Sequence, residues 1–176
     1  MKHVAPVPHR AGVPLGQTSL SSYPHEDIAM DENRTLRTTR TIHYSAQDVY
    51  DAFASASVLA SWWGPNGFTN TFEVFEFRVG GRWVFTMHGP DGKDYANQSH
   101  FVALEPAQRV VIRHDCPPFF TLTVHLSSVA EGTHLVWEQA FDDVETAQAV
   151  SARVGRANEE NLDRLTQAPS RSTDVT

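Results

Sequence analysis

The chain has 176 residues, 40% of them hydrophobic, so it is long enough to bury one core, and we expect a single domain with short tails. Its formal net charge is −7 and its 14 Lys and Arg are scattered, which argues against nucleic acid or an anionic membrane as the partner. The single cysteine excludes an internal disulfide and a cysteine-based zinc site, and no apolar run resembles a signal or membrane-spanning segment, so we expect a cytoplasmic protein.

Residues 1–33 differ from the rest of the chain, because prolines stand among Ser, Thr and His and no strand or helix period persists. This composition predicts a flexible N-terminal extension. Its histidines, His3, His9 and His25, are irregularly spaced and have no nearby acidic partner. That pattern favours solvated side chains over metal ligands.

The main domain, predicted over 34–168, begins with a strand and a short helix. The segment 38–44 is rich in β-branched residues, which is typical of a strand. Ser45 stands three residues before Asp48, close to the arrangement of a capping box, and apolar residues at helical spacing follow. These features predict that a short amphipathic helix starts at Ser45.

Paired tryptophans, Trp62 and Trp63, close a second short helix predicted over 58–63, which the Gly64-Pro65 pair ends. Large aromatic side chains ordinarily fill a core, but they can also line a cavity. Adjacent residues of a helix point about 100° apart, so one indole can pack into the core while the other faces a cavity. We assign Trp63 to the cavity.

Turn residues recur at intervals of roughly a dozen positions between 68 and 142, as expected for a meander of antiparallel strands. A long C-terminal helix is predicted over 144–167, and residues 169–176 are expected to be a disordered tail. The order of elements predicts an α+β fold in which an antiparallel sheet curves around one long helix and leaves a cavity. The predicted strands of the meander are 68–79, 82–88, 93–104, 109–115, 119–129 and 133–141.

Alternation along the strands assigns an inner, apolar face to the sheet. In the clearest strand, the residues that share this face are Trp83, Phe85 and Met87. The preceding strand carries aromatic residues on both faces. Phe75 and Phe77 lie on the same face as Glu73. Phe72 and Val74 share the other face, through which the chain could form a homodimer.

A few polar residues fall on or near the predicted inner face: Glu73, Asn97, Ser99, His114 and Gln139. Buried polar groups cost free energy unless they form hydrogen bonds, so this set suggests mutual pairing, water or a ligand. Positions near strand ends, from which side chains reach solvent, are an equally good explanation. A glutamate and a histidine in a pocket of low polarity could act as acid or base, which makes Glu73 and His114 the candidate catalytic residues.

Other signatures of chemistry are missing from the sequence. There is no glycine-rich phosphate loop after a strand, no nucleophile elbow and no pair of histidines one helical turn apart. His88, His100, His125 and His134 fall mostly on predicted outer faces. We therefore expect no cofactor and no metal.

Several short motifs together resemble the START-like (SRPBCC) superfamily, which has the helix-grip fold. The motifs are Arg40-Thr41-Ile42, the stretch 44–53, Trp62-Trp63-Gly64-Pro65, Gly80-Gly81-Arg82-Trp83, the stretch 89–93 and Leu162-Asp163-Arg164-Leu165. Over about residues 36–167, the chain is most similar to the bacterial branch named for homologues of the activator of the heat-shock-protein-90 ATPase. The resemblance implies a seven-stranded curved antiparallel sheet around a long C-terminal helix, with two short helices after the first strand and a hydrophobic cavity.

One departure from these relatives bears on the cavity. They often carry Gly-Trp on the long helix where this chain has Ala157-Asn158, so an indole that would fill part of the cavity is missing. The resemblance therefore implies a roomier and more polar interior around Asn158.

Three functions remain open. The superfamily implies a noncatalytic protein that binds a small apolar or amphipathic molecule, or a cyclase- or hydrolase-type enzyme that uses Glu73 or His114 as acid or base. The name of the branch suggests a stress-related or chaperone-associated module that binds another protein. We favour the first. Its predicted ligand-binding residues are Trp63, Glu73, Phe75, Phe77, Trp83, Phe85, Met87, Asn97, Ser99, His114, Trp137, Gln139 and Asn158.

Overall fold

The structure, a computed structural model, describes residues 32–168. The strands are β1 (Thr35–Ile42), β2 (Thr69–Phe75), β3 (Arg82–His88), β4 (Asp94–Glu105), β5 (Arg109–His114), β6 (Phe120–Val129) and β7 (Gly132–Phe141). The helices are α1 (Ala46–Ala54), α2 (Ala56–Trp62) and α3 (Val144–Gln167). The predicted extension over 1–33, with its three histidines, lies outside the described residues apart from its last two positions, and the predicted tail over 169–176 lies outside them entirely.

The seven strands form one antiparallel sheet in the order β1-β7-β6-β5-β4-β3-β2. Strands β2 to β7 form a meander, because each strand from β3 to β7 pairs with the strand before it in the chain. β1 instead pairs with β7, with Thr35 opposite Ala140 and Ile42 opposite Thr133. The sheet curves around α3, so the predicted α+β helix-grip fold is confirmed.

Local sequence explains where the two short helices begin and end. Ser45 Oγ accepts a hydrogen bond from the Asp48 backbone N–H at 3.1 Å, and Asp48 Oδ2 accepts one from the Ser45 N–H at 3.3 Å, which confirms the capping box. α2 starts two residues earlier than predicted and ends at Trp62, because Trp63 already has an extended backbone. Gly64 follows with φ +94°, a conformation that glycine adopts without the strain that a side chain would cause.

Two groups of aromatic rings form much of the core between the sheet and the helices. Trp62 is 1% exposed, packs edge-on against Phe53 with ring centroids 5.0 Å apart, and donates its indole N–H to the Ala52 carbonyl at 3.2 Å. The second group surrounds Trp83, which stacks on Phe85 at 4.3 Å. Each fully buried ring contributes about 1.5–3 kcal/mol to stability. These rings hold the short helices and the sheet together.

A β-bulge interrupts β2 and changes which residues face the core. Phe72 pairs with Phe85 and Val74 pairs with Val84, so Glu73 is an extra residue in the register. An extra residue reverses the alternation of faces in the part of the strand beyond it. Faces predicted by strict alternation therefore fail at this point of β2.

Side chains on either side of the bulge show the consequence. Phe72 and Phe75 pack together with ring centroids 5.6 Å apart, and both contact Trp83. Glu73 is exposed and accepts a hydrogen bond from Thr86 Oγ1 at 2.9 Å. The prediction that Glu73 shares a face with Phe75 is therefore wrong. Phe72 is half-buried against the core, so it is also not part of an outer face available for dimerisation.

Candidate ligand-binding site

A pocket of about 540 Å³ lies between α3 and one end of the sheet. Val154 and Ala157 of α3 form one side of it, and Met87 and His114 at the ends of β3 and β5 form the other. This volume falls within the range of about 300–1,000 Å³ that is usual for small-molecule sites. The other residues that line the pocket are Pro65, Phe68, Tyr95, Ala96, Asn97, Pro117, Pro118 and Arg153.

Two smaller pockets adjoin the large one. The first, of about 160 Å³, extends along α3 to Asn158 and shares Val154 and Ala157 with the large pocket. The second, of about 190 Å³, extends along the sheet and shares Met87 and His114 with it. The side chains common to the two smaller pockets are Trp63, Phe120 and Leu122. Because each pair of pockets shares lining residues, the three adjoin one another, and together they make up the space between the sheet and α3.

Residues of α3 hold the turn that forms one wall of this space. The Arg164 guanidinium donates hydrogen bonds to the carbonyl oxygens of Gly64 and Pro65, each at 2.9 Å. Asn161 Oδ1 accepts a hydrogen bond from the Gly64 N–H at 2.8 Å. Burial lowers the pKa of Arg164, but an arginine side chain stays protonated in proteins. The turn is therefore fixed to α3 by a charged donor and a buried amide.

His114 is a buried titratable side chain in the lining of the large pocket, whereas Tyr95 and Arg153 in the same lining are exposed. It is 7% exposed, its Nδ1 lies 2.8 Å from the Pro118 carbonyl oxygen, and its ring stacks on Phe120 at 4.5 Å. Burial lowers the pKa of His114, so the imidazole is neutral at about pH 7 and carries one N–H. One N–H cannot serve both the Pro118 carbonyl at 2.8 Å from Nδ1 and Asn97 Oδ1 at 3.1 Å from Nε2. We assign it to Nδ1, where the contact is shorter, and Nε2 is then an acceptor.

The groups around His114 Nε2 leave it open to a donor. Asn97 Oδ1 lies 3.1 Å away and Cys116 Sγ lies 3.5 Å away. Asn97 Nδ2 donates to the Tyr95 carbonyl at 2.8 Å, which turns Oδ1 towards the imidazole. Two acceptors do not form a hydrogen bond with each other, so Nε2 can accept one from the Cys116 thiol or from a ligand hydroxyl or amine.

Uncharged polar groups occupy the inner end of the space. Asn158 Nδ2 donates a hydrogen bond to Gln139 Oε1 at 3.1 Å, and both residues are buried. Trp137 lines the same pocket and is 2% exposed, and its indole N–H has no acceptor among the described residues. A buried donor without a partner costs about 1–3 kcal/mol, and an acceptor atom placed beside it would remove that cost.

Carboxylates are missing from the lining, since none of the three pockets is lined by Asp or Glu. Within residues 32–168, no three His, Cys, Asp or Glu side chains are grouped in a way that could hold a metal ion. No helix in the described part of the chain has the length and apolar character needed to cross a membrane.

Most of the residues predicted for ligand binding line this space. Those that line at least one pocket are Trp63, Phe85, Met87, Asn97, Ser99, His114, Trp137, Gln139 and Asn158. Phe75, Phe77 and Trp83 instead pack against Phe101 in the aromatic core, with ring centroids 5.9, 5.0 and 6.1 Å from it. Glu73 lies on the outer face and does not meet His114, so the predicted pair of catalytic candidates is not assembled.

Sequence reasoning missed several lining residues. Phe120 and Leu122 share one face of β6 by alternation, but alternation does not distinguish a side chain that lines a cavity from one that fills a core. Arg153 stands four residues before Ala157 on α3, so helical spacing could have placed both on the face that looks onto the sheet.

Solved structures with the same fold come from several bacteria. A crystal structure of a protein from Nitrosomonas europaea aligns with a TM-score of 0.72 and 16% identity, covering 78% of this chain and 94% of that one. A solution structure from Arthrobacter aurescens aligns with a TM-score of 0.71 and 20% identity, covering 82% and 94%. A protein from Rhodobacter sphaeroides aligns with a TM-score of 0.69 and 24% identity, covering 77% and 90%. At these identities the likeness shows the fold alone.

The sequence comparisons identify the family. No curated protein matches the sequence significantly. A family model described as activator of Hsp90 ATPase homolog 1-like protein matches residues 43–169. The match spans every element from α1 to α3 and therefore includes all the residues that line the three pockets. The chain belongs to the family of activator of Hsp90 ATPase homolog 1-like proteins.

Proposed function

We propose that this protein binds a small amphipathic molecule in the space between the sheet and α3, without catalysing a reaction on it. The observation that carries the proposal is the pocket of about 540 Å³, whose mostly apolar lining continues into two pockets that hold a few polar groups. Sites for small molecules typically have this composition. Proteins with this fold also commonly bind hydrophobic ligands.

Polar groups at both ends of the space would orient the ligand. His114 Nε2 offers an acceptor beside the large pocket, and Trp137 offers a buried N–H that lacks an acceptor. Apolar contact with side chains such as Met87 and Phe120 would supply most of the affinity, at roughly 25 cal/mol for each Å² removed from water. A molecule with an apolar body and one or two polar groups fits this arrangement.

Binding is better supported than catalysis. Acid–base hydrolysis or cyclisation usually relies on two titratable groups whose environments separate their pKa values. No carboxylate lines the three pockets, and Glu73 lies on the opposite face of the sheet. A cyclase or hydrolase would therefore have to use His114 without a carboxylate partner in the lining.

A titration with the neutral fluorescent probe 1-N-phenylnaphthylamine tests the proposal. The emission of this probe should rise on binding to the wild-type protein, because the probe moves from water to an apolar site. Ala157→Phe should abolish the rise, since Ala157 lines both the large pocket and the 160 Å³ pocket and an added ring would occupy that space.

Ala152→Phe is the matched control. Ala152 lies on the same helix, is exposed and lines none of the three pockets, so this variant should bind the probe like the wild type. Circular dichroism and thermal unfolding would show that both variants fold. No emission change with the wild type, or an equal response from Ala157→Phe, would contradict binding in this space.

A further inference from the structure

Arg153 lines the 540 Å³ pocket and has no ionic or hydrogen-bonding partner among the described residues. The other Arg and Lys side chains of residues 32–168 each have an ion pair, a hydrogen bond or a nearby carboxylate. Arg156, about one turn further along α3, pairs with Glu160 at 3.2 Å. In the described part of the chain, Arg153 therefore carries a positive charge that no carboxylate pairs with, although the protein's net charge is −7.

The position of Arg153 places this charge at the entrance of the pocket. The side chain is exposed, whereas its neighbour Val154 and the following Ala157 form the apolar wall behind it. No Asp or Glu lines any of the three pockets, so an anion at the entrance would meet a guanidinium and no competing carboxylate there. Low-polarity walls around a single charge strengthen its attraction for an ion of opposite sign.

The far end of the space differs in charge from the entrance. Gln139, Asn158 and Asn161 are uncharged amides, and no Lys or Arg lines the 160 Å³ pocket that contains them. The lining between the two ends is apolar and includes Phe120 and Leu122. A ligand that matches this lining carries its negative charge at one end only.

We propose that the ligand is an amphipathic anion whose carboxylate, or a similar acidic head group, pairs with Arg153 while its apolar body lies between α3 and the sheet. Guanidinium and carboxylate groups form charge-assisted hydrogen bonds in a two-pronged geometry, which suits Arg153 to this role better than a lysine. This inference rests on the proposed function, because Arg153 selects the head group of a molecule that the pocket holds.

The test compares decanoate with 1-decanol, two molecules with the same tail and different head groups. Each is used to displace 1-N-phenylnaphthylamine from the wild type, from Arg153→Gln and from Arg156→Gln. Arg153→Gln should weaken decanoate binding about 3- to 10-fold and leave 1-decanol binding unchanged, since it removes one partly exposed charge pair. Arg156→Gln, which removes an arginine outside the pockets, should change neither affinity.

Salt provides a second readout. Raising the ionic strength from about 0.05 M to about 0.5 M should weaken decanoate binding to the wild type and should have little effect on Arg153→Gln. Because Arg153 has no partner within residues 32–168, thermal unfolding of Arg153→Gln should coincide with that of the wild type.

The outcomes separate this inference from the proposed function. Two results would contradict an anionic head group paired with Arg153 and would leave the proposed binding in the pocket intact. One is that the wild type binds the neutral probe while decanoate fails to displace it, and the other is that Arg153→Gln affects decanoate and 1-decanol equally. If the wild type does not bind the neutral probe, the proposed function fails, and the inference fails with it.

Discussion

Asn158 on α3 donates a hydrogen bond to Gln139 on β7 at 3.1 Å, and this bond joins the long helix to the sheet within the protein. Both side chains are buried, and both line the 160 Å³ pocket. Buried amides are stable only while their polar groups are satisfied. The two amides that make this pocket polar therefore also stabilise the fold through their mutual hydrogen bond.

Replacing one member of this pair should destabilise the protein. Asn158→Leu leaves Gln139 Oε1 without its donor and should lower the free energy of unfolding by about 1–3 kcal/mol. Gln139→Leu should have an effect of similar size. The double variant should be more stable than the sum of the two single effects, because neither amide is then left unpaired. Urea unfolding of the wild type, the two single variants and the double variant measures the coupling between Asn158 and Gln139, and strictly additive effects would contradict it.

Arg164 is expected to stabilise the protein through backbone hydrogen bonds. Its two terminal nitrogens donate to the carbonyl oxygens of Ser61, Gly64 and Pro65 at 2.8 to 2.9 Å. Arg164→Met should lower the free energy of unfolding by about 1.5–3 kcal/mol, because those carbonyls lose a charged donor. Arg156→Met is the matched control on α3, and it should change stability by less than about 0.5 kcal/mol. Equal losses in the two variants would show that the contacts of Arg164 add no stability.

The fold could be predicted because its signals are local. The capping box of Ser45 and Asp48 involves residues three positions apart, and the inward placement of Trp83 and Phe85 follows from alternation. The bulge at Glu73 depends on the pairing of β2 with β3, a long-range relation that alternation within one strand does not contain. Because of this one extra residue, strict alternation assigned Glu73 to the wrong face of the sheet.

The site was less predictable than the fold, because a side chain lines a cavity only where no other side chain packs against it. Trp83 and Phe85 lie on the same face of β3 and are both almost fully buried. Phe85 nevertheless lines a pocket, whereas Trp83 contacts the rings of Phe72, Phe75 and Phe101. Only the three-dimensional packing separates the two residues.

His114 should make the protein less stable in acid. Burial lowers the pKa of His114 below its ordinary value of 6.5. As the pH falls through about 6.5, the unfolded chain binds a proton that the folded chain does not, so stability decreases until the folded pKa is reached. His114→Gln should remove this contribution. The difference in urea midpoint between wild type and variant should be larger at about pH 8 than at about pH 5, and a constant difference would contradict the lowered pKa.

Glu73→Gln should leave ligand binding unchanged. The Glu73 side chain is exposed on the outer face, where it accepts a hydrogen bond from Thr86 Oγ1, and a glutamine Oε1 can accept the same bond. In the 1-N-phenylnaphthylamine titration, Glu73→Gln should therefore match the wild-type Kd, while Ala157→Phe loses binding. A several-fold weaker Kd for Glu73→Gln, with thermal unfolding unchanged, would place this carboxylate in contact with the ligand and would restore it as the partner that His114 needs for acid–base chemistry.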